Sequence, residues 1–495
     1  MRSLLLPGPA ALAALVLAVR LGMSPLKNHD LFFHLAGGRF ILEHGFSRVD
    51  PFSVTGTAGW VPHEWGFGVL CVALLKWLGA AGPALLIAAL VSANLLLLWK
   101  ALGRAASGRR GALALAALGA LLLVHAPTWP QERPFHVGHL LFTLAVLGVQ
   151  AWRSGSDRVL WLFPLLGIAW VNLHGSWPLG PALLGAAAVG QALDVPSPES
   201  RRRSLRALAF AAAAFLTAGL GPEGASMYLY PLHHSVLPST QGIVEWRPLN
   251  LDMLSSWAYL ALAGAALFAV GGAPSRRVAI LLPGFVLGVA ALKVQRHAPF
   301  AAVLVALALL EHASQARTAS RSGPLGRLWR GLDGALSGWS ARAGGTLWPA
   351  LALAALAAVH AGQPVPVEQG VKRAHLPLGV FEALRKQPPG KVLNPFIIGG
   401  PISFFAGPEY KVFIDSRNDP FPLSVREDFE KLLWGEPGWE EALAKYDPDY
   451  LVWSVDNPGN ILLDHLRGRG GWREEARDGN HVLWVRQRTT AAVQP

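Results

Sequence analysis

Apolar residues along this chain come in blocks of about 15–20, the length that crosses a bilayer as a helix. Short polar stretches separate the blocks, and the pattern predicts eleven membrane-spanning helices, with boundaries that hold to within a few residues. The first block follows Arg2 as a signal peptide would, but Arg20 near its end and the lack of a small-residue cleavage pattern before Lys27 favour an uncleaved span. The predicted spans are 4–22, 82–100, 111–126, 137–152, 159–172, 176–193, 206–221, 254–271, 278–292, 298–313 and 346–361.

The positions of the charges set the predicted orientation. The chain is 52% hydrophobic and only 15% charged, with a formal net charge of +12. A basic balance of this size suggests a nucleic acid or a membrane surface as partner. The arginines cluster between apolar blocks, as they do in cytoplasmic loops, so we expect membrane lipid and no nucleic acid. With the N-terminus inside, the inner loops hold Arg104, Arg109, Arg110, Arg153, Arg158, Arg201, Arg202, Arg203, Arg276, Arg277, Arg317, Arg321, Arg327, Arg330 and Arg342.

Residues 64–79 are apolar as well, but they do not fit this orientation as a span. Counting them as one would move the arginines at 104–110 to the outside. We therefore predict an interfacial helix over 63–79, with Trp65 and Trp77 at the depth that tryptophan prefers.

The composition changes after the last span. Mixed charge, turn residues and alternating strand and helix patterns predict a small α/β domain over 362–495, following a transmembrane domain over 1–361. Because an odd number of spans precedes it, this domain is expected outside. Asn394-Pro395 and Gly399-Gly400 look like turns. The predicted strands are Lys391–Ile398, Lys411–Ile414, Tyr450–Ser454 and Val482–Val485, and the predicted helices are Ser424–Trp434, with Ser424 as N-cap, and Trp439–Tyr446.

The first outer loop, residues 23–63, carries the densest polar pattern. Leu31 to Ile41 has helical spacing, so this segment should lie flat at the interface and hold Asp30 at the bilayer surface. A carboxylate there can take a proton from a sugar hydroxyl or bind a divalent cation. The alternative, with equal weight, is that Asp30 caps the helix. His29, His34 and His63 could join Asp30 around a metal, but their spacing is not a tight ligand pattern, and hydrogen bonding is the favoured interpretation for them.

Further polar residues of the predicted outer loops are candidates to line a cavity. Asp50 and Glu64 also suit ordinary roles, as a turn residue and as an acid at a helix start. Outer cations run against the positive-inside trend, and the phosphate of an anionic lipid is the obvious partner for Arg133, Arg296 and Lys293. Snorkelling to headgroups is the alternative, favoured mainly for Lys293. The candidate lining residues are His34, Asp50, Glu64, Asn172, His174, Glu245 and His297.

These motifs resemble a family. Asp30-x-x-x-His34-Leu35-Ala36-x-Gly38, Asp50-Pro51-Phe52-Ser53 and His63-Glu64-Trp65 are similar to the first loop of bacterial membrane glycosyltransferases of the GT-C fold, relatives of protein O-mannosyltransferases and of the lipid A aminoarabinose transferase. Arg133-Pro134, Asn172-x-His174-Gly175, Glu245-Trp246 and Val412–Arg417 look like later landmarks of an uncharacterised branch. The resemblance implies a polyprenyl-phosphate-linked sugar donor, inversion, and an acid after the first span as base or metal ligand. That acid is Asp30, although His29-Asp30 replaces the acidic pair common in the family, so the divalent cation and catalytic activity itself stay open.

The resulting hypothesis is an extracytoplasmic sugar transfer in the bacterial inner membrane. Asp30 activates the acceptor hydroxyl, while Arg296, with Arg133 or Lys293, holds the departing polyprenyl phosphate. The acceptor is a glycan, a lipid or a protein.

Asp415 and Arg417 follow a predicted strand and are a candidate acceptor site, the alternative being an internal ion pair. Two other functions compete with transfer. A transporter or flippase of lipid-linked sugars would need polar groups at mid-membrane depth, and a non-catalytic scaffold would leave the patterned first loop unexplained.

Overall fold

The computed structural model describes residues 6–56, 59–108, 111–236, 243–315, 324–342, 345–371 and 376–488. The chain is mostly helical, with a small sheet near its C-terminus. The predicted positions of Arg109, Arg110, Arg317 and Arg321 lie outside the described residues. In chain order the α-helices are α1 (Pro9–Gly22), α2 (His29–His44), α3 (Trp65–Leu78), α4 (Ala81–Ala105), α5 (Ala112–His125), α6 (Phe135–Arg153), α7 (Leu162–Leu173), α8 (Leu179–Asp194), α9 (Pro198–Leu216), α10 (Tyr230–Val236), α11 (Leu254–Gly271), α12 (Val278–Lys293), α13 (Ala298–Gln315), α14 (Pro324–Arg342), α15 (Leu347–Gly362), α16 (Val367–Gly370), α17 (Leu378–Arg385), α18 (Gly399–Phe405), α19 (Leu423–Trp434), α20 (Trp439–Tyr446) and α21 (Gly459–Arg469).

The chain divides into two compact units. The helical unit comprises Met1–Ser24, Ala81–Leu232 and Gln241–Pro364, and the mixed unit comprises Pro25–Ala80, His233–Thr240 and Val365–Pro495. The change after Pro364 lies a few residues beyond the predicted domain boundary at 361. The first outer loop belongs to the same compact unit as the C-terminal region, which its position in the sequence does not suggest.

The helical unit has the composition of a polytopic membrane protein. In the described part of the chain, five helical segments are long and apolar enough to cross a membrane: Ala81–Ala105, Phe135–Arg153, Pro198–Leu220, Leu254–Gly271 and Gln295–Gln315. Shorter apolar helices, among them α1, α5, α12 and α15, occupy other predicted spans. Every predicted span therefore contains a helix, whereas the total of eleven crossings stays a prediction.

Small residues let these helices approach closely. A Cβ on Gly190 of α8 would lie 2.5 Å from the Ala279 Cα of α12, and one on Gly167 of α7 would lie 2.7 Å from the Ala214 carbonyl oxygen of α9. Close backbone contact at small residues is typical of helices that pack in lipid, where the hydrophobic effect does not drive their association. At the centre lies α13, whose residues from Ala298 to Leu310 are almost all buried.

Carboxylates fix the arginine-rich end of this unit. Asp194 accepts hydrogen bonds from Val278 N and Ala279 N at 2.7 and 3.0 Å, and Asp333 accepts one from Ala112 N at 2.8 Å. Each carboxylate thereby satisfies amides at the start of a helix that have no partner within it. Asp333 belongs to α14, an amphipathic helix that the sequence patterns did not predict.

The mixed unit contains a five-stranded sheet of order β2-β1-β3-β5-β4. Its first three strands are parallel, and β5 pairs antiparallel with β3 and β4. The first predicted strand is too long, because a 3₁₀ turn over Phe396–Ile398 follows β1, and the Gly399-Gly400 turn is wrong because α18 begins there. The Ser424 cap is also wrong, since Pro422 is the N-cap of α19. The strands are β1 (Lys391–Leu393), β2 (Lys411–Val412), β3 (Tyr450–Ser454), β4 (Trp472–Asp478) and β5 (His481–Arg486).

The first outer loop extends this sheet. Ser53 bridges Val412 in parallel at the β2 edge, where Val412 N donates to the Phe52 carbonyl at 2.9 Å and Val54 N donates to the Val412 carbonyl at 3.0 Å. The two ends of the loop also pair with the segment that opens the C-terminal region, through Leu26 N to the Gly370 carbonyl at 3.0 Å and Ala80 N to the Val365 carbonyl at 2.8 Å. The loop thus covers a sheet edge that would otherwise expose unpaired backbone groups.

Candidate functional site

A cavity of about 210 Å³ opens in the helical unit, at the end opposite the arginine-rich loops. Short connections make successive helices antiparallel, so the loops that line this cavity and the loops that carry Arg153, Arg203 and Arg277 lie at opposite ends. Its wall is largely apolar, with a few polar groups, as in binding sites for amphipathic ligands. The apolar lining includes Val124, Phe135, Leu249, Met253 and Phe300, and the polar lining includes Gln131, His139, His174, Glu245, Gln295 and Arg296.

Arg296 is positioned by the 3₁₀ turn Gln295–His297 that leads into α13. Gln295 ties this turn to the segment before α11, because its N–H donates to the Arg247 carbonyl at 2.9 Å and its side-chain amide donates to the Val244 carbonyl. The Arg296 guanidinium lies 5.1 Å from the centroid of the Trp246 ring. The ring face supports the cation, and the Arg296 side chain belongs to the cavity lining.

Arg133 contacts the cavity through Glu245. Its Nη1 lies 2.6 Å from Glu245 Oε1, and its guanidinium lies 5.6 Å from the Phe135 ring centroid. Both side chains are partly exposed, so the pair is worth little as a contribution to stability. Its geometric effect is to orient a carboxylate of the cavity wall. Arg296 and Glu245 thus line one cavity, and Arg133 pairs with Glu245, while the roles of all three stay proposals.

His174 is a buried member of the cavity wall. Its Nδ1 accepts a hydrogen bond from Ser176 N at 3.2 Å and lies 2.6 Å from Ser176 Oγ, which in turn accepts one from Trp170 Nε1 at 3.0 Å. An accepting Nδ1 leaves the proton of the neutral ring on Nε2. Gly138 makes room for this ring, since a Cβ there would lie 2.5 Å from His174 Nδ1.

Three other predicted residues of the helical unit lie away from this lining. Asn172 donates to the Ile168 carbonyl at 2.8 Å within its own helix. Lys293 is exposed at the end of α12, as the snorkelling alternative expects. His297 is partly buried, and in the described part of the chain its Nδ1 has no hydrogen-bond partner.

Sequence reasoning missed two buried histidines beside the cavity. The His125 and His139 rings lie 4.9 Å apart, centroid to centroid, and His139 contacts both the His136 and Phe300 rings, at 6.2 and 4.9 Å. His139 lines the cavity wall. The signal was present in the sequence, because His125 and His139 lie inside the predicted spans 111–126 and 137–152, where a titratable side chain is costly and calls for a reason.

Asp30 lies in the mixed unit, in the first turn of α2. Asn28 is the N-cap, and its side-chain oxygen accepts a hydrogen bond from Asp30 N at 2.9 Å. The alternative that Asp30 itself caps this helix is therefore wrong. Its carboxylate sits instead at a helix start, where the dipole favours an acid, and one turn before His34 on the same face.

Glu64 lies between α2 and α3, the two helices of the first outer loop. Its Oε2 lies 3.8 Å from His34 Nε2 and 3.7 Å from His63 Nε2. The helices come this close because α2 and α3 cross at two glycines: a Cβ on Gly38 would lie 2.4 Å from the Gly68 carbonyl carbon. Among the described residues, no group of three or more His, Cys, Asp or Glu side chains is arranged to hold a metal ion.

Asp50, Asp415 and Arg417 form a buried ion cluster in the mixed unit. Arg417 donates through Nη1 and Nη2 to the two Asp50 oxygens at 2.8 and 2.9 Å, and through Nε and Nη2 to Asp415 at 2.8 and 2.6 Å. Burial alone would lower the pKa of Arg417, but the two carboxylates outweigh it and raise that pKa above its ordinary value. The three side chains are 1–3% exposed, which leaves no surface for an acceptor. Of the two interpretations of Asp415 and Arg417, the internal ion pair fits the structure, and we do not place the acceptor there.

Comparison with solved structures identifies the fold. ArnT from Cupriavidus metallidurans, bound to undecaprenyl phosphate, matches with a TM-score of 0.54 and 13% identity, covering 98% of each chain. The Archaeoglobus fulgidus oligosaccharyltransferase in the apo form matches with a TM-score of 0.52 and 13% identity, covering 90% of this chain and 69% of that one. AglB from the same organism, in complex with an inhibitory peptide and a dolichol-phosphate, gives 0.53 and 13% over the same shares.

Sequence comparison gives no match: no family model and no curated protein matches the chain. The fold is that of GT-C membrane glycosyltransferases, which confirms the resemblance that the motifs indicated.

Proposed function

We propose that this protein is an integral-membrane glycosyltransferase that moves a sugar from a polyprenyl-phosphate donor to an acceptor on the extracytoplasmic side. The cavity of the helical unit is the observation that carries the proposal, because it combines apolar walls with the Arg296 guanidinium. A lipid phosphate has the same two parts, a chain that prefers the apolar wall and an anion that prefers the guanidinium. Two neighbours in fold were captured with undecaprenyl phosphate and with a dolichol-phosphate, which supports this class of ligand.

Arg296 stabilises the departing phosphate. When the bond between the sugar carbon and the phosphate oxygen breaks, that oxygen keeps the electron pair and the lipid phosphate gains a second negative charge. A guanidinium already fixed over Trp246 meets this charge without reorganising, in surroundings of low polarity where the interaction is strong. Glu245, oriented by Arg133, lines the same cavity and is suited to accept hydrogen bonds from sugar hydroxyls.

Asp30 acts as the base. The acceptor hydroxyl attacks the sugar carbon from the face opposite the phosphate, its proton passes to the Asp30 carboxylate, and the configuration inverts. A lipid phosphate whose charge is stabilised by Arg296 is a good leaving group, so the reaction needs no covalent intermediate with the protein. His34, which follows Asp30 by one turn of α2, lies 3.8 Å from Glu64, and we assign these two polar side chains to the surroundings of the reaction. A divalent cation at Asp30 is a second way for this carboxylate to serve the reaction.

Sidedness supports the assignment of the two residues to one reaction. Within the helical unit, the cavity lies at the end without the arginine clusters, which the positive-inside rule assigns to the outside. The predicted alternation of spans puts the first outer loop, with Asp30, on that same side. Donor phosphate and base then act at one leaflet.

The experiment is a donor-cleavage assay on the purified full-length protein. Polyprenyl-phosphate sugars are supplied with a crude envelope extract as acceptor source, and released polyprenyl phosphate is measured. Asp30→Asn should reduce release about 100-fold or more, the usual loss of a general base, with an unchanged midpoint of thermal unfolding. Glu43→Gln, an exposed acid on the same helix, is the matched control and should retain activity.

Three outcomes separate the competing functions. Full activity of the Asp30→Asn protein would remove this residue from the mechanism. Lipid translocation in vesicles without bond cleavage would favour the transporter alternative, and neither cleavage nor translocation would favour the scaffold.

A further inference from the structure

A second cavity, of about 390 Å³, lies at the arginine-rich end of the helical unit. Its lining is mainly polar, whereas that of the first cavity is mainly apolar. The proposed function does not involve this second cavity. The lining residues are Arg104, Ala105, Ser107, Gln150, Arg153, Ser154, Gln191, Arg277, Glu311, Ser314 and Gln315.

The lining carries an excess of positive charge. Among its described residues are three guanidinium groups and one carboxylate, that of Glu311. Glu311 neutralises Arg153 through two hydrogen bonds, at 2.8 and 3.1 Å. In the described part of the chain, neither Arg104 nor Arg277 forms an ion pair. A concave surface with two cations that no carboxylate neutralises concentrates anions.

The three arginines belong to different elements, and hydrogen bonds hold the side chains of two of them, Arg104 and Arg153. Arg104, in α4, donates to the Leu147 carbonyl of α6 at 3.3 Å. The Arg277 main-chain N–H donates to Nε2 of the fully buried His312 at 3.1 Å, which fixes the start of α12 beside α13. Arg153 is held by its bidentate pair with Glu311. Guanidinium groups that are held in advance, as those of Arg104 and Arg153 are, lose less conformational entropy on binding than mobile surface arginines do.

We propose that this cavity binds a phosphate-bearing anion, either the headgroup of an anionic lipid or a phosphate-bearing solute. Arginine is the residue suited to this ligand, because its planar fork matches two phosphate oxygens. Arg104 and Arg277 are themselves exposed, but together with Arg153 they line one concave surface. The arginines of the neighbouring loops outside this lining, such as Arg202, are explained by the positive-inside trend alone.

The first test measures binding to the full-length protein with two probes. Inorganic pyrophosphate is titrated by calorimetry in neutral detergent, and anionic lipid is tested as the shift in thermal unfolding between phosphatidylcholine nanodiscs with and without phosphatidylglycerol. The variants are Arg104→Gln and Arg277→Gln, with Arg202→Gln as the matched control, an exposed arginine of the same end outside the lining.

We expect each cavity variant to weaken the response about tenfold or more, the loss of one charge-assisted hydrogen bond, and the control to change it less than about twofold. A response to pyrophosphate identifies a solute, and a response to phosphatidylglycerol alone identifies a lipid headgroup. No response to either probe, or an equal loss in Arg202→Gln, would overturn the proposal.

The second test is Glu311→Gln. Removing this carboxylate releases Arg153, so an anion site should bind more tightly, by about tenfold. If the cluster served only to hold helices together, loss of the pair would weaken binding or leave it unchanged. Weaker or unchanged binding by a variant that unfolds within a degree or so of the wild type would contradict the proposal.

Discussion

Two arginines with the same chemistry have opposite surroundings in this molecule. Arg417 is enclosed in the mixed unit, bonded by two carboxylates and surrounded by the Phe33, Phe52 and Phe421 rings at 5.1–5.7 Å. Arg296 lies on a cavity wall of the helical unit, over one tryptophan ring. The first charge is neutralised inside the protein, and the second faces a space that a ligand can enter. The comparison teaches that the neighbours of a guanidinium, and not its presence in a motif, decide between a structural and a binding role.

The largest expected effect is on Arg417. Arg417→Met removes the cation and leaves Asp50 and Asp415 buried without it, which should lower the free energy of unfolding by about 3–5 kcal/mol. Chemical unfolding of the purified protein measures this. Arg473→Gln is the control, an exposed arginine of the same unit, and should change stability by less than about 0.5 kcal/mol. Equal stability of the two variants would break the comparison.

Arg296→Gln should show the reverse profile. We expect donor cleavage to fall about 100-fold, the effect of removing one preorganised group that stabilises developing charge, with unfolding unchanged. The matched control is Arg247→Gln, an exposed arginine of the segment that contacts the same 3₁₀ turn through its carbonyl. A variant that loses stability but retains cleavage would give Arg296 the role we assign to Arg417.

A steric change sharpens the contrast without touching a charge. Gly38→Ala forces apart the α2 and α3 backbones, because its Cβ would lie 2.4 Å from Gly68. We expect a loss of about 1–3 kcal/mol in stability and a separation of His34 from Glu64 that also lowers cleavage. Gly468→Ala, which meets nothing within 4 Å, should leave both unchanged. If the Gly38→Ala protein cleaved the donor as fast as the wild type, the His34–Glu64 contact would not be needed for activity.

The smallest effect concerns pH. Burial, then the neighbouring His29, lowers the pKa of His481 below its ordinary 6.5. Protonation of His481 is therefore less favourable in the folded than in the unfolded state. The stability that the neutral side chain contributes is complete above pH 6.5 and is lost as the pH falls from 6.5 toward the lower pKa of the folded state. His481→Gln should reduce the acid-induced loss of stability by less than about 1 kcal/mol. Identical pH profiles of unfolding for variant and wild type would contradict this.

The sequence predicted what local patterns encode. Apolar blocks located the helices of the helical unit, and Tyr450–Ser454 and Trp439–Tyr446 were predicted with their observed ends, because strand and helix periodicity are properties of neighbouring residues. The short strand β1 was overextended because Phe396–Ile398 is apolar in either conformation. Gly399-Gly400 opens a helix and not a turn. A Cβ would lie 2.2 Å from the Ile414 carbonyl oxygen at Gly399 and 3.0 Å from Phe33 N at Gly400, which only the folded chain reveals.

Long-range pairing explains what could not be predicted. Nothing near Ser53 indicates that it extends a strand more than 350 residues later, or that Asp50 meets Arg417. The Asp415–Arg417 pair was recognised as one of two alternatives, and its burial decides between them. His139 was overlooked because it lies within an apolar block, where periodicity describes a span and not a cavity wall.

The central claim, that base and donor phosphate share one leaflet, is tested most directly by labelling from one side. Cys71, the single cysteine, is buried, so wild type gives little background. Glu43→Cys, on the same helix as Asp30, and Arg247→Cys, near Arg296, should both react with a membrane-impermeant maleimide on intact cells, whereas Arg202→Cys should react only after permeabilisation. Labelling of Glu43→Cys and Arg247→Cys from opposite sides would contradict the account.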